Sequence, residues 1–187
     1  MSSRFPELKP DQWDAEQKQV AANISAGPRG SVRGPFLPLL YAPGLAEPAQ
    51  QAGAYLRYKS SLPAALNEFA ILITARFWTA QYEWHAHKKL ALEGGLRPAI
   101  ADQLARGERP SGMSAEEAAI YEFCTELHDS HGVSDKNFNA VVEKFGRRGA
   151  MDLIGLCGYY TLISMVLNVS QVPLPAGVEP GLPPLKR

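Results

Sequence analysis

The sequence of 187 residues has little cysteine and no excess of charge of either sign. Its two cysteines, Cys124 and Cys157, lie far apart and form no CxxC pair, which argues against a disulfide scaffold and a tandem thiol motif. Lys plus Arg number 19 and Asp plus Glu number 19, so no net field attracts nucleic acid or anionic lipid. A chain of this length can bury a core without crosslinks, and we interpret both cysteines as buried thiols.

Signals for export and for membrane insertion are also missing. The first residues, MSSRFPELKPDQWD, lack the apolar core of a signal peptide, and no apolar run approaches the ~20 residues that span a bilayer. We therefore expect a single cytoplasmic domain over residues 1–187, with neither nucleic acid nor a membrane as partner. Within it, residues 1–45 form an N-terminal helix and an ordered loop, and residues 173–187 form an extended proline-rich tail.

Helix start and stop signals recur along the chain, whereas no strand pattern and no internal repeat appears. The predicted helices run from Asp11 to Ile24, Glu47 to Ser60, Pro63 to Gly94-Gly95, Pro98 to Arg106, Ser114 to His131, Asp135 to Phe145 and Ala150 to Val169. Ser114 and Glu117 form a capping box, and Gly146 is a helix stop. Because the third segment is either one helix or two, we predict an all-α fold of seven to eight helices.

The stretch from Asn67 to Leu96 places ionisable side chains in an apolar setting. On a single helix, which turns ~100° per residue, four of them fall within a wedge of roughly 100°. These four are Glu68, Arg76, Glu83 and His87. A helix break at Thr79 would reset that phase. Glu83 and His87, four positions apart, face each other in either case.

The pair of Glu83 and His87 can transfer protons, because the carboxylate orients the imidazole and raises its basicity. An ordinary surface ion pair has the same spacing, but the second carboxylate of Glu68 in the same apolar segment favours a site. Arg76 either neutralises the two acids or holds a substrate carboxylate. Arg33, in the glycine- and proline-rich loop of residues 25–43, is a second candidate for binding.

Other chemistries find less support. His85 and His87 point about 200° apart on a helix, so they cannot chelate one ion, and no second Glu-x-x-His motif is present. A Gly-x-Ser-x-Gly nucleophile turn is also missing. We predict no metal and no cofactor. We interpret His128 and His131, at the end of a helix, as groups that stabilise the helix dipole.

Motifs spread over most of the chain resemble one protein family. They are Arg33-Gly34-Pro35-Phe36, Tyr55-Leu56-Arg57-Tyr58, Glu68, Ala75-Arg76, Gln81-Tyr82-Glu83-Trp84, His87, Gly95-Leu96, Gly158-Tyr159-Tyr160 and Asn168. In these motifs the chain is similar to the carboxymuconolactone decarboxylase family, which includes the alkylhydroperoxidase D-like proteins. Its members are helical and assemble as trimers or hexamers with pockets near subunit contacts. The resemblance implies an alkylhydroperoxidase D-like bundle and a homo-oligomer, as a trimer, hexamer or dimer.

The peroxidase branch of that family carries a glutamate, eleven further residues and then Cys-x-x-Cys-x-x-x-His. Counted from Glu68, the two cysteine positions fall on Ala80 and Glu83, and the histidine falls on His87. Without a thiolate there, peroxide meets no nucleophile. The decarboxylase branch instead carries a glutamate four positions before the histidine, as Glu83 stands before His87.

The resemblance therefore implies a cofactor-free lyase or isomerase that acts on a small carboxylated or lactone-like compound. The expected catalytic residues are Glu68, Glu83 and His87, and the expected substrate-binding residues are Arg76, Arg33, Tyr82 and Trp84. Two alternatives remain open. One is a non-catalytic oligomeric binding or scaffold protein of the same fold, and the other is an alkylhydroperoxidase-like antioxidant activity, which the missing CxxC disfavours.

Overall fold

Eight α-helices and one short 3-10 turn make up the computed structural model, which describes residues 3–184. The helices are α1 (Ala15–Ala26), α2 (Phe36–Leu39), α3 (Pro43–Tyr58), α4 (Ala64–Phe77), α5 (Gln81–Glu93), α6 (Pro98–Ala105), α7 (Ala115–Ser130) and α8 (Asp135–Ser170). No strand occurs within residues 3–184. The predicted all-α fold of seven to eight helices is confirmed.

Two of the early helices begin at residues other than those predicted. The Gln17 N–H donates to Asp14 Oδ1 at 2.8 Å and the Asp14 N–H donates to Gln17 Oε1 at 3.0 Å, so this capping box delays the start of α1. In α3 the first turn opens with Pro43 rather than near Pro48, which lies inside the helix. Proline fits the first turn of a helix, because the N–H that it lacks would have no partner within the helix there.

The central segment is a pair of helices rather than one. Thr79 adopts a left-handed conformation with φ of 50°, and α5 begins after Ala80. The single-helix wedge is therefore wrong, because the turn folds α5 back against α4. Helix α4 is buried along most of its length and packs against α5, α6, α7 and α8. It forms the centre of one continuous hydrophobic core.

The last two helices follow their sequence signals. The capping box of Ser114 and Glu117 is confirmed at the start of α7. Gly146 breaks α8 with φ of 68° and ψ of 176°, a backbone conformation open mainly to glycine, and the helix then resumes at once. The second part therefore begins a turn earlier than the predicted Ala150.

Helix α8 is long and apolar enough to meet the length and composition of a membrane span. The mean hydropathy of its most apolar 18 residues is 1.6, contrary to the expectation that no such segment exists. More than half of that stretch, 56%, is buried against the rest of the protein. A central helix of a helical bundle has the same composition, because it is apolar on nearly every side.

The tail extends over the α4–α5 junction of its own chain. Gln81 Nε2 donates to the Leu182 carbonyl at 2.6 Å, and the Leu182 N–H donates back to Gln81 Oε1 at 3.0 Å. Residues 173–184, which belong to the segment predicted as an extended proline-rich tail, contain no helix. Residues 185–187 of that segment, like residues 1 and 2 of the predicted N-terminal region, lie outside the described residues.

Candidate active site

A histidine on α5 lies between two glutamates. His87 Nδ1 is 2.6 Å from Glu68 Oε2 on α4, and His87 Nε2 is 3.1 Å from Glu83 Oε2 one turn earlier on α5. Only 4% of His87 and 3% of Glu83 is exposed. The contact predicted from the four-residue spacing is confirmed. Glu68 joins the pair across the helix hairpin, not along one helix face.

The two carboxylates favour the protonated form of His87. Burial by itself lowers the pKa of an imidazole, but the hydrogen bond with Glu68 and the charges of Glu68 and Glu83 outweigh it and raise the pKa of His87. Tyr160 packs edge-on against the ring, with 5.1 Å between the ring centroids. A protonated imidazole between two carboxylates can exchange its proton with either neighbour.

A cavity of about 490 Å³ borders this cluster. Glu83 and His87 reach its wall, whereas Glu68 contacts the other ring nitrogen of His87 and does not line the cavity. The basic side chains of the wall are Arg29, Arg33, Arg57 and Lys89, and its carboxylates are Glu83 and Glu93. The volume suits a small organic molecule, and the excess of basic groups favours an anionic one.

Three polar atoms of the cavity wall are buried without a hydrogen-bond partner among residues 3–184. They are Glu83 Oε2, Arg29 Nε and Arg57 Nε. The His87 ring N–H is close to Glu83 Oε2 but is not aligned with it, and Arg57 Nε is 4.0 Å from Glu68 Oε1, beyond hydrogen-bond distance. A buried unpaired polar group costs about 1–3 kcal/mol, so a ligand that pairs with these atoms would remove that cost.

Arg29 is held in the cavity wall by two aromatic residues. Its Nη2 donates to the Tyr159 hydroxyl at 3.4 Å, and its guanidinium carbon is 4.6 Å from the centroid of the Phe36 ring. Gly53 on α3 makes room for them, because a Cβ there would overlap the Tyr159 hydroxyl and lie 2.5 Å from Arg29 Nη2. Burial raises the pKa of Tyr159 to about 12 against the opposing charge of Arg29, so the hydroxyl stays protonated.

Arg33 and Tyr82, two of the four predicted substrate-binding residues, line the cavity. Gly34, next to Arg33 in the chain, packs against Tyr82: a Cβ added at Gly34 would lie 2.8 Å from the Tyr82 ring. Burial raises the pKa of Tyr82, as does the neighbouring charge of Glu83. The Tyr82 hydroxyl is therefore protonated and can donate a hydrogen bond to a ligand.

Arg76 and Trp84, the other two, face the tail and do not line the cavity. The Arg76 guanidinium donates to the carbonyls of Ala105 at 2.9 Å and Pro183 at 2.8 Å. Trp84 packs beneath Gly181, where a Cβ would lie 2.9 Å from the indole ring. Neither residue fits a substrate-binding role in this cavity, because each is occupied in holding the tail.

Sequence reasoning missed four residues of the cavity wall as site residues: Arg29, Arg57, Tyr159 and Tyr160. Three of them stand inside the motifs that carry the family resemblance, which was the available signal. Arg29 lies in the same loop as Arg33, and of the two only Arg33 was predicted to bind. Only the tertiary structure reveals that these distant segments share one cavity.

The remaining histidines do not join the cluster of Glu68, Glu83 and His87. His85 is exposed at the edge of the cavity, and His131 ends α7 in a left-handed conformation with φ of 58°. His128 stacks on Phe77 with 4.8 Å between ring centroids. Across residues 3–184, no group of three or more His, Cys, Asp or Glu side chains is arranged to hold a metal ion.

Comparisons with known proteins establish the fold and no more. No protein-family model and no curated protein matches the chain. Among solved structures, it is similar to an alkylhydroperoxidase AhpD core, an uncharacterized peroxidase-related protein from Ralstonia eutropha JMP134. The two are 20% identical over 90% of each chain, with a TM-score of 0.73. The chain therefore has the alkylhydroperoxidase D-like fold, which confirms the predicted fold class.

Proposed function

We propose that the protein is a cofactor-free acid–base enzyme, a lyase or isomerase of the carboxymuconolactone decarboxylase type. Its substrate is a small carboxylated or lactone-like compound. The single observation that supports this most is the buried contact between Glu83 Oε2 and His87 Nε2, 3.1 Å apart, at the wall of the cavity. A carboxylate and an imidazole in contact at a ligand cavity can accept and return a proton, as general acid–base catalysis requires.

The basic wall supports an anionic substrate. Arg29 and Arg57 each present a buried guanidinium with an unpaired Nε, and Arg33 stands in the loop at the same cavity. A guanidinium binds a carboxylate through paired hydrogen bonds and keeps its charge at any working pH. In this proposal the arginines hold the substrate carboxylate or a developing enolate.

The proton moves between the substrate and the cluster of Glu68, Glu83 and His87. In an isomerisation, Glu83 removes a proton from the carbon next to a carbonyl, the electron pair moves to the carbonyl oxygen, and the proton returns at another carbon. In a decarboxylation, the carbon–carbon bond to the carboxylate breaks, carbon dioxide leaves, and the resulting enolate takes a proton from protonated His87. Glu68 holds His87 in orientation through Nδ1.

Replacing the imidazole tests this assignment. We expect His87→Ala to lower turnover by ~10² or more, the usual contribution of general acid–base catalysis, while the fold is retained. The measurement is hydrogen–deuterium exchange at carbon, followed by NMR in D2O, across a panel of small carboxylated and enolisable compounds. This assay detects proton abstraction before the physiological substrate is known.

The matched control is His131→Asn, since asparagine tolerates the left-handed conformation at that exposed position. It should exchange deuterium at the wild-type rate. Equal activity of His87→Ala and wild type on a proven substrate would exclude the proposed chemistry.

The cavity also bears on the two alternatives. A scaffold that has lost its chemistry is expected to have a filled core around Glu83 and His87, and the adjoining volume of about 490 Å³ favours an enzyme instead. An antioxidant activity at this site needs a thiolate, and the described wall of the cavity contains no cysteine.

We further propose a cytoplasmic homo-oligomer whose partner is a small molecule, with no nucleic acid or membrane involved.

A further inference from the structure

Two consecutive tyrosines on α8, Tyr159 and Tyr160, line the cavity of the candidate active site. Consecutive residues of a helix point ~100° apart, so the two side chains reach different parts of the wall. The Tyr159 hydroxyl accepts a hydrogen bond from Arg29 Nη2 at 3.4 Å, whereas the Tyr160 hydroxyl makes no hydrogen bond among residues 3–184. The Tyr160 oxygen is also not fully enclosed, unlike the unpaired Nε of Arg57, so it keeps access to the cavity.

The rest of the Tyr160 side chain is buried beside the proton-transfer groups. Only 3% of the residue is exposed. Its ring lies edge-on to the ring of His87, with 5.1 Å between the centroids, and to the ring of Tyr159, with 5.2 Å. A buried tyrosine hydroxyl usually has a hydrogen-bond partner, because leaving water without one costs free energy. Since the described protein supplies none, a ligand in the cavity is the available partner.

The environment of Tyr160 keeps its proton in place. Burial raises the pKa of Tyr160 well above its usual range, and the negative charge of Glu83 raises it further. The charge of Arg57 acts in the opposite direction without reversing the shift. A phenol that keeps its proton donates a hydrogen bond and does not compete with Glu83 as a base. The cavity therefore presents a base and a hydrogen-bond donor as separate groups.

We propose that the Tyr160 hydroxyl donates a hydrogen bond to the substrate oxygen that becomes negatively charged during the reaction. This inference rests on the proposed function. When Glu83 removes a proton from carbon, the electron pair moves to the neighbouring carbonyl oxygen, and the Tyr160 O–H donates to that oxygen. Tyr160 keeps its own proton, and no covalent bond to it forms or breaks. A donor placed where charge develops lowers the barrier, because the hydrogen bond is strongest in the transition state.

This role narrows the class of substrate. The reacting carbon must lie next to a carbonyl oxygen, as in an enolisable ketone, ester or lactone, so that the charge can move to the oxygen beside Tyr160. The carboxylate of the same molecule binds the arginines, which lie elsewhere in the wall. A compound with a carboxylate and no such carbonyl would bind without reacting.

Tyr160→Phe removes the hydroxyl and keeps the ring. We expect the kcat of hydrogen–deuterium exchange to fall about 10²-fold, the usual effect of deleting one such donor, with KM little changed. The temperature of thermal unfolding should not fall, because the hydroxyl has no partner among residues 3–184. The control is Tyr121→Phe, at a half-buried position of α7 outside the described wall of the cavity, and it should exchange at the wild-type rate.

A binding experiment tests the same donor without turnover. The probe is 4-nitrophenol, whose anion resembles an enolate because its charge lies on an oxygen attached to an unsaturated carbon. At a pH where the neutral and anionic forms coexist, visible absorbance reports which form the protein binds. Wild type and Tyr121→Phe should prefer the anion. Tyr160→Phe should lose that preference by about tenfold or more, the value of one charge-assisted hydrogen bond.

Three results would overturn the role of Tyr160. They are a wild-type protein that does not bind the anion saturably, an unchanged preference for the anion in Tyr160→Phe, and a Tyr160→Phe protein that fails to fold, since its hydroxyl would then have a structural partner. The two proposals also fail separately. Without deuterium exchange in wild type the proposed function is contradicted, but the nitrophenol titration still decides the role of Tyr160. Exchange by Tyr160→Phe at the wild-type rate contradicts only the inference about Tyr160.

Discussion

His87 is the residue whose surroundings differ most from those of a typical surface histidine. Glu68 and Glu83 contact its two ring nitrogens, and Tyr160 covers a ring edge. In the buried cluster, the imidazole keeps its charge because two carboxylates are present, and the carboxylates tolerate burial because the imidazole is charged. The two carboxylates therefore favour the protonated form of His87.

Removing one carboxylate should shift the protonation of His87. We expect Glu83→Gln to lower the pKa of His87 relative to wild type, because one charge and one contact are lost while burial remains. The measurement is an NMR titration of the imidazole signals. Glu143→Gln, a surface change on α8, is the matched control and should leave the titration unchanged.

The same shift makes stability depend on pH. Because the pKa of His87 is raised in the folded state, its contribution to stability is fully present below the unfolded value of ~6.5 and is lost as pH rises through the folded value. Each tenfold change in proton affinity corresponds to about 1.4 kcal/mol of stability.

The NMR titration of Glu83→Gln has one contradicting outcome. If the pKa of His87 in that variant equals or exceeds the wild-type value, Glu83 does not stabilise the protonated imidazole.

Gly53 packs closely against Arg29 and Tyr159 of the cavity wall. We expect Gly53→Ala to lower the free energy of unfolding by about 1–3 kcal/mol, the usual cost of overpacking, and to displace Arg29 and Tyr159. Thermal or denaturant unfolding measures the first effect, and ligand binding measures the second. Gly44→Ala on the same helix is the control, because a Cβ there meets no atom within 4 Å. A Gly53→Ala protein as stable as wild type would show that the contact relaxes without cost.

At the scale of elements, the α4–α5 hairpin has two faces with different roles. One face brings Glu68 to His87, and the other holds the tail through Gln81 and Arg76. The turn at Thr79 separates the two roles, and the Thr79 hydroxyl accepts from Arg76 at 3.0 Å. On a continuous helix, Arg76 would face the same side as Glu83 and His87. The turn at Thr79 interrupts the helix, so Arg76 faces the tail instead.

Substituting Arg76 should affect stability and leave substrate binding unchanged. We expect Arg76→Lys to lower the free energy of unfolding by about 1.5–3 kcal/mol, since an ammonium cannot span the two carbonyls and the hydroxyl that the guanidinium reaches. Limited proteolysis should cleave the tail faster. Arg147→Lys, at an exposed position of α8, is the control. A raised KM in Arg76→Lys with unchanged stability would return Arg76 to the substrate site.

Sequence reasoning succeeds where the relevant spacing is local. The four-residue spacing of Glu83 and His87, the capping box at Ser114 and the stop at Gly146 all depend on one or two helical turns. It fails for Arg76, because the carbonyls that accept its hydrogen bonds come from the distant residues Ala105 and Pro183. It also fails for Arg57, because no local pattern distinguishes a guanidinium in a cavity wall from one in solvent.

At the scale of the whole molecule, α8 leaves an apolar face uncovered. Its exposed residues include Met151, at 65% exposure, and Val169, at 58%, with Ile154 and Met165 between them. Gly158 lies on the same face, where a Cβ would meet no atom within 4 Å. A stripe of apolar and small side chains along one helix suits close packing against another helix, which agrees with the proposed homo-oligomer.

Charging this face should dissociate the oligomer. We expect the double substitution Met151→Glu and Val169→Glu to convert a homo-oligomer to monomers, because buried carboxylates would face one another or apolar surface. Sedimentation velocity measures the change. Leu45→Glu, an equally drastic change at an exposed apolar position of α3, should leave the assembly intact. A wild-type protein that sediments as a monomer would contradict the expected assembly.

The hairpin has a further consequence for how ligand preference can change. Glu68 and His87 are separated by only 19 positions, so their contact has low contact order and is encoded in one short segment. Arg29 and Tyr159, which meet across 130 positions, belong to a different part of the cavity wall. In the proposed function, the groups that move protons and the groups that hold an anion are thus encoded in separate segments of the chain. We expect substitutions in the loop around Arg29 to alter which anion is bound without changing the chemistry proposed at His87.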